Sequence, residues 1–157
     1  MAIPSLYCPI RRQEVPQLPE EIVRQQLIRW MVQTLGYPAS LLAVEKSLKQ
    51  MPHLASKQGQ LPERRADLLC FAPSIHPEYA LYPLLLIECK AHSITPKCMQ
   101  QLIGYNHHLC AYFIGIANGT EIKTASTPLI GGTGEFFPGL PSYTDLLESI
   151  DFFRNLL

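Results

Sequence analysis

The spacing of apolar residues along the chain predicts three helices. Residues 19–35 carry an apolar side chain at every third or fourth position, which is the period of a helix with one buried face. Pro19 suits the first turn of such a helix, and Gly36 suits its end. Similar patterns predict helices over Pro96–Leu109 and over residues 142–153. The apolar positions of the first helix are Val23, Leu27, Trp30, Met31 and Leu35.

Shorter apolar runs between these helices predict strands. The run in residues 81–91 includes LLLIECK, and such a nearly continuous run is typical of a central strand that is buried on both faces. Segments 51–63 and 131–139 contain glycine and proline and are predicted loops. The predicted strands are 41–48, 66–72, 81–91, 112–117 and 121–125. The resulting order, α-β-β-β-α-β-β-α, predicts an α/β fold in which helices flank a mixed sheet.

Composition excludes several classes of protein. The 157 residues, 47% hydrophobic and 17% charged, are typical of one globular domain, predicted here over residues 19–157. No apolar run approaches the roughly 20 residues that cross a bilayer, and the first residues lack a signal peptide, so no membrane association is expected. Residues 1–18 have no periodicity and several prolines, which predicts a loose N-terminal arm. Five cysteines without a C-x-x-C pair are typical of reduced thiols in a cytoplasmic protein.

The charges are unevenly distributed although the formal net charge is zero. Residues 1–65 carry nine Lys and Arg against five Asp and Glu, and residues 66–157 carry four against eight. This balance excludes a surface that is basic all over and leaves room for one basic face. Solvated surface charge accounts for the same asymmetry.

Three charged residues interrupt the most apolar strands. Glu88 and Lys90 stand one pleat apart on the same face of the strand at 81–91, and Asp67 stands near the start of the strand before it. If these two strands pair as a hairpin, the three side chains meet. Two carboxylates can hold Mg²⁺, and the lysine can orient or deprotonate a water molecule. The alternative is an ion pair between Glu88 and Lys90, with Asp67 at a strand end, since buried charges need partners.

The order of these and other residues resembles a known nuclease family. The PD-(D/E)xK nuclease superfamily, and within it the N-terminal nuclease domain of type I restriction enzyme R subunits, is similar to this chain over residues 20–125. The resemblance implies a restriction-endonuclease-like core, in which an antiparallel three-stranded meander belongs to the mixed sheet. The motifs that carry it are Glu21-x-x-Arg24, RAD at 65–67, ECK at 88–90 and QLIGYN at 101–106.

The resemblance implies a metal-dependent endonuclease that hydrolyses DNA phosphodiester bonds. Asp67 and Glu88 would then ligate Mg²⁺ or Mn²⁺, and Lys90 would serve the attacking water. Glu21 corresponds to an acidic residue that contacts the metal directly or through water, so it joins the expected catalytic and metal-binding residues.

The resemblance also implies contacts to the nucleic acid. Gln101 and Tyr105 match a Q-x-x-x-Y pattern that supports the active site and contacts DNA in some branches; ordinary helix packing is the alternative for this pair. Arg24, Arg64 and Arg65 are candidates for phosphate contacts, and solvated charge is the competing explanation.

Two departures from the family pattern leave the function open. Ala66 stands where a proline usually precedes the aspartate, and the chain has no helicase motor and no Walker A sequence. The chain is therefore expected not to translocate DNA by itself, and either acts alone or depends on a helicase or translocase partner. A homodimer is expected from the resemblance alone. The alternatives are a non-catalytic DNA-binding or assembly module of the same fold, and an interaction domain in which the charged trio is an internal ion network.

Overall fold

The strand pairing of the computed structural model, which describes residues 3–156 and the side chains of residues 3–151, defines a mixed α/β fold. The helices are α1 (Pro19–Gln33), α2 (Pro96–Leu109) and α3 (Tyr143–Leu156). The strands are β1 (Ser5–Cys8), β2 (Gln13–Pro16), β3 (Leu42–Ser47), β4 (Arg65–Pro73), β5 (Leu81–Cys89), β6 (Phe113–Ala117), β7 (Ile122–Ser126) and β8 (Phe137–Pro138).

The fold class and the order of the long elements confirm the prediction from the sequence. Helix α2 has the predicted bounds, α1 ends at Gln33 instead of residue 35, and the five predicted strands differ only at their ends. Two predicted loops contain structure. Segment 51–63 holds a 3-10 helix, Pro52–Gln60, whose Leu54 is buried, and segment 131–139 holds the short strand β8. Strand β8 has only two residues, and in the 3-10 helix Pro52 and Gly59 are residues that a sequence pattern assigns to a loop.

The N-terminal arm forms a hairpin instead of the loose segment that its sequence predicts. Strands β1 and β2 pair antiparallel, with Ser5 opposite Pro16 and Cys8 opposite Gln13. Cys8 and Val15 are buried, so the hairpin packs onto the rest of the domain. The sequence does not indicate this because each strand has only four residues and alternation over four positions is a weak signal.

The central sheet combines a meander with one parallel crossover. Its strand order is β3-β4-β5-β6-β7-β8. Strands β3, β4 and β5 are antiparallel neighbours, and α2 then carries the chain across so that β6 runs parallel to β5. In the β4–β5 pair, Leu68 lies opposite Ile87. This register brings the start of β4 beside the end of β5.

The two faces of the sheet form two hydrophobic cores. Helices α1 and α3 cover one face, where Ile28 and Leu146 pack with Ile87. Helix α2 covers the other face, where Leu102 packs with Leu86. Burial of β5 on both sides explains its continuous apolar run. None of the helices within residues 3–156 is both long and apolar enough to span a bilayer.

Candidate active site

Asp67 and Glu88 meet where β4 begins and β5 ends. The Asp67 Oδ2 atom accepts a hydrogen bond from the backbone N–H of Cys89, at 2.9 Å. Glu88 lies close enough to Asp67 for their side chains to share a hydrogen bond. This meeting is the one that antiparallel pairing predicts. It brings together two carboxyl groups, both only partly accessible to solvent.

The proximity of the two carboxyl groups changes the protonation of Glu88. Burial raises the pKa of Glu88, and the negative charge of Asp67 and the hydrogen bond between the two side chains raise it further, to about 8. The positive charges of Lys90 and Arg64 act in the opposite direction and do not outweigh these effects. Burial and the neighbouring Asp67 thus favour the protonated form of Glu88, while the Cys89 N–H donates its hydrogen bond to Asp67.

Lys90 occupies the end of the same strand face. It follows Glu88 by two positions, which puts both side chains on the face of β5 that α2 covers. The backbone N–H of Lys90 donates to the carbonyl oxygen of Ala117, at 2.8 Å, and so fixes the main chain where β5 and β6 end together. Lys90 is half-buried, and its positive charge acts on Glu88.

Tyr105 reaches the site from α2. Its side chain is 1% exposed, and its hydroxyl group has no hydrogen-bond partner among the described residues. Burial raises the pKa of Tyr105, and the charges of Glu88 and Asp67 raise it further. The guanidinium carbon of Arg64 lies 4.7 Å from the centre of the Tyr105 ring. Arg64 is exposed, so this stacked pair joins the carboxyl groups to the surface.

Gln101 and Tyr105 do not share one environment. They are one helical turn apart on α2, but Tyr105 is buried and Gln101 is exposed. Arg65, at the first position of β4, is also exposed and pairs with Ser47 of β3. The roles expected of Gln101 and Arg65 stay predictions.

Glu21 lies in an ion network on α1, the helix whose apolar residues cover the other face of the sheet. Its Oε1 atom accepts a hydrogen bond from Arg11, and its Oε2 atom accepts from Arg24 at 3.2 Å and from Gln25 at 3.0 Å. Burial would raise the pKa of Glu21, but the hydrogen bonds from Arg11 and Gln25 and the charges of Arg24 and Arg11 hold it below its usual value. Glu21 is therefore a buried, ionised and fully partnered carboxylate.

Arg24 connects this network to the start of β4. One guanidinium nitrogen donates to the main-chain carbonyl oxygen of Asp67, at 3.3 Å, and another lies 3.6 Å from a carboxylate oxygen of Glu45. Arg24 is only 6% exposed. Among the described residues, no group of three or more His, Cys, Asp and Glu side chains is arranged to hold a metal. The metal-contacting role of Glu21 and the phosphate-contacting role of Arg24 stay predictions.

Sequence reasoning did not find the ionic partners Arg11 and Glu45. Arg11 lies in the turn between β1 and β2, where no pattern marks a functional residue. Glu45 lies in β3 with a left-handed backbone, φ 52°, which single-residue patterns do not reveal. The only hint in the sequence is the number of charged residues near the first helix, and this number does not show which of them form ion pairs.

The chain resembles known proteins in sequence and in fold. Residues 19–141 match the family profile of the type I restriction enzyme R protein N terminus. The chain is also similar to the solved structure of a fragment described as an HsdR subunit of a type I restriction enzyme from Vibrio vulnificus YJ016, with 17% sequence identity and a TM-score of 0.57. That likeness covers 96% of this chain and 26% of the fragment, so the chain spans about a quarter of the fragment's length. No curated protein matches the chain significantly.

The similarity to the fragment concerns the fold and agrees with a restriction-endonuclease-like core. The family profile extends over most of the sequence, residues 19–141. The chain therefore belongs to the family of type I restriction enzyme R protein N-terminal domains.

Proposed function

We propose that this domain is a metal-dependent endonuclease that hydrolyses DNA phosphodiester bonds at Asp67, Glu88 and Lys90. The observation that carries the proposal is the pair of carboxyl groups of Asp67 and Glu88, held together at the end of β5 beside a lysine. Two acidic groups whose repulsion must be offset are costly for the fold alone. Such perturbed groups are typical of functional sites.

The residues present fit a divalent cation. Asp67 and Glu88 supply the carboxylate oxygens that Mg²⁺ and Mn²⁺ prefer, and the buried hydroxyl of Tyr105 has no partner among the described residues. The two carboxylates would hold the ion, and the ion would polarise a phosphoryl oxygen and supply positive charge to the reaction. Glu21 is not needed for this pair, because Arg11, Arg24 and Gln25 satisfy its carboxylate.

The other residues of the site suit the remaining tasks. The ammonium group of Lys90 would orient the attacking water by a hydrogen bond and stabilise negative charge that develops on the phosphate. Arg64 is exposed beside Tyr105, so its guanidinium group can contact a backbone phosphate without sequence preference. The positive charges of Lys90 and Arg64 are therefore suited to contacts with the phosphates of the DNA backbone.

The proposal includes partners beyond DNA. Since the chain spans about a quarter of the restriction-enzyme fragment that it resembles, we expect it to work with other parts of a type I restriction assembly, including a helicase or translocase. A homodimer and a cytoplasmic location stay predictions that come with this proposal.

Titration calorimetry with Mn²⁺ tests the metal site without a substrate. We expect binding to the wild-type protein and a loss of affinity of more than about tenfold in Asp67→Asn and Glu88→Gln, since even residues outside the ligand set change metal affinity by 10–100-fold. Glu78→Gln is the matched control, because Glu78 is an exposed carboxylate in the turn between β4 and β5. No Mn²⁺ binding up to millimolar concentration, with or without DNA, would favour a non-catalytic DNA-binding or assembly module.

Cleavage of plasmid DNA tests the chemistry. Lys90→Met should abolish cleavage in Mg²⁺ or Mn²⁺ while it leaves Mn²⁺ binding intact, because Lys90 acts on the water and the phosphate. Full cleavage by Lys90→Met or by Asp67→Asn would contradict the proposed mechanism. The circular dichroism spectrum of each variant should match the wild type.

A further inference from the structure

We infer that Arg24 is a positioning residue that fixes the main chain at Asp67, and that Glu21 acts on the site only through Arg24. This inference deepens the proposed function and rests on it for its catalytic consequence. It replaces direct contact of Glu21 with a metal, and of Arg24 with a phosphate, by a role in which neither residue contacts the substrate.

The sheet is interrupted at the position of Asp67. The pairing of β3 with β4 passes from Val44–Leu68 directly to Lys46–Ala66 and so skips Glu45 and Asp67. At this position Glu45 adopts a left-handed backbone, φ 52°, which is costly for a residue with a side chain. The neighbouring strand therefore does not hold the main chain of Asp67 in the regular way.

Arg24 supplies the missing support from α1. Each of its three guanidinium nitrogens contacts a different element: Nη1 donates to the Asp67 carbonyl oxygen at 3.3 Å, Nε donates to Glu21 at 3.2 Å, and Nη2 lies 3.6 Å from Glu45. The planar, forked guanidinium group is suited to three fixed partners, and an ammonium group is not. Arg24 thus ties α1, β3 and β4 together at one residue.

The other members of the network hold Arg24 in place. Glu21 receives hydrogen bonds from Arg11, Arg24 and Gln25, and Arg11 also lies 3.6 Å from the second carboxylate oxygen of Glu45. Two arginines and two glutamates balance each other's charge, so the buried ions are compensated. Because the oxygens of Glu21 are occupied by these donors, Glu21 orients Arg24.

This support matters because the Asp67 side chain follows its main chain. The carboxylate of Asp67 meets the Cys89 N–H at 2.9 Å, and a functional carboxylate must be held to within about 0.5 Å. Arg24→Lys keeps the positive charge beside Glu21 but loses the fork. We expect it to loosen the start of β4 and the Asp67–Cys89 hydrogen bond while the cores above and below the sheet stay intact.

Amide hydrogen exchange followed by NMR tests the inference without a metal. In Arg24→Lys, the Cys89 amide should exchange at least about tenfold faster than in the wild type, while the amide of Leu102 in α2 is unchanged. Arg29→Lys is the matched control, because Arg29 is exposed on the same helix. If Cys89 exchange is unchanged in Arg24→Lys, the inference is wrong, whether or not the protein binds a metal.

A second variant keeps the test valid if Arg24→Lys does not fold. The double variant Glu21→Gln/Arg24→Gln removes both charges of the pair and leaves Arg11 beside Glu45, so no unpaired charge is buried. It also lacks the guanidinium fork, and it should show the same fast exchange at Cys89. Wild-type exchange at Cys89 in this folded variant would equally overturn the inference.

Kinetics separate positioning from direct contact. If Arg24 positions Asp67, Arg24→Lys lowers kcat and leaves the KM for DNA unchanged, since Arg24 does not touch DNA. In a double-mutant cycle, the losses of Mn²⁺ affinity caused by Glu21→Gln and by Arg24→Lys should not be additive, because both residues act through one network. Additive losses of Mn²⁺ affinity would assign Glu21 to the metal and contradict the inference. A wild-type protein that neither binds Mn²⁺ nor cuts DNA would instead contradict the proposed function, and the Cys89 exchange would still decide the inference.

Discussion

The guanidinium group of Arg64 lies over the ring of Tyr105, with 4.7 Å between the guanidinium carbon and the ring centre. The ring lies against one side of the guanidinium group, and because Arg64 is exposed, its N–H donors can meet a ligand from solvent. Because Tyr105 is itself buried next to the carboxyl pair, the stack brings a fixed positive charge to the edge of the proposed active site.

Removal of the Arg64 guanidinium should weaken DNA binding through one phosphate contact. We expect Arg64→Ala to lower the affinity for duplexes of different sequence to a similar extent and to reduce the slope of log Kd against log salt by about one. Fluorescence anisotropy at several salt concentrations measures both. Arg29→Ala, an exposed arginine on α1, should leave the slope unchanged; an equal effect of both variants would mean that Arg64 has no special contact.

Removal of the hydroxyl group should affect the free energy of unfolding differently at Tyr37 and at Tyr105. The Tyr105 hydroxyl is buried without a partner among the described residues, whereas the Tyr37 hydroxyl donates to the Pro141 carbonyl oxygen at 2.7 Å. Tyr37→Phe should lower the free energy of unfolding by about 1 kcal/mol. Tyr105→Phe should leave it unchanged or raise it, because a buried unpaired hydroxyl is unfavourable.

Urea unfolding of both variants measures this difference. DNA cleavage should fall in Tyr105→Phe and stay at the wild-type rate in Tyr37→Phe, if the Tyr105 hydroxyl is reserved for the bound metal or phosphate. A strongly destabilised Tyr105→Phe would show instead that its hydroxyl has a structural partner.

The proximity of Asp67 and Glu88 can be predicted from the sequence, because it depends only on the regular pairing of two antiparallel strands. Apolar runs identify β4 and β5, and antiparallel pairing brings the start of one strand to the end of the other. The surroundings of Glu21 could not be predicted in the same way. They depend on Arg11, which a hairpin of very short strands brings to α1, and on the left-handed backbone of Glu45. Neither feature has a periodic signal.

For the Q-x-x-x-Y pair, too, the sequence predicts only part of the arrangement. Residues four positions apart lie on one side of a helix, so the pattern predicts that Gln101 and Tyr105 share a face. The packing of α2 against the sheet decides how far that face is buried, and it covers Tyr105 while it leaves Gln101 in solvent. The spacing in the sequence therefore predicts which helix face the two residues share, but it does not predict which of them is buried.

The raised pKa of Glu88 predicts an unusual pH dependence of stability. Between about pH 4.5, the ordinary pKa of a glutamate, and about pH 8, the folded protein retains on Glu88 a proton that the unfolded chain has lost. Stability of the metal-free protein should therefore fall as pH rises through this window, by less than about 1.4 kcal/mol per pH unit, and level off above it.

Urea midpoints measured across this pH range check the prediction. Glu88→Gln should remove this contribution, since its side chain does not ionise, and the difference between the two proteins isolates Glu88 from the other titrating groups. Glu78→Gln should retain the wild-type slope, because its carboxylate is exposed. An unchanged slope in Glu88→Gln would mean that Glu88 is already ionised at neutral pH.

The same proton links metal binding to pH. A cation held by Asp67 and Glu88 needs both groups ionised, so binding at pH 7 should release a proton from Glu88. We expect the affinity for Mn²⁺ to rise with pH up to about 8 and then to become constant. Calorimetric titrations in two buffers of different ionisation enthalpy count the released protons directly. A proton count near zero at pH 7, with Mn²⁺ still bound, would contradict this prediction: either Glu88 is already ionised at pH 7, or the ion is held without its carboxylate.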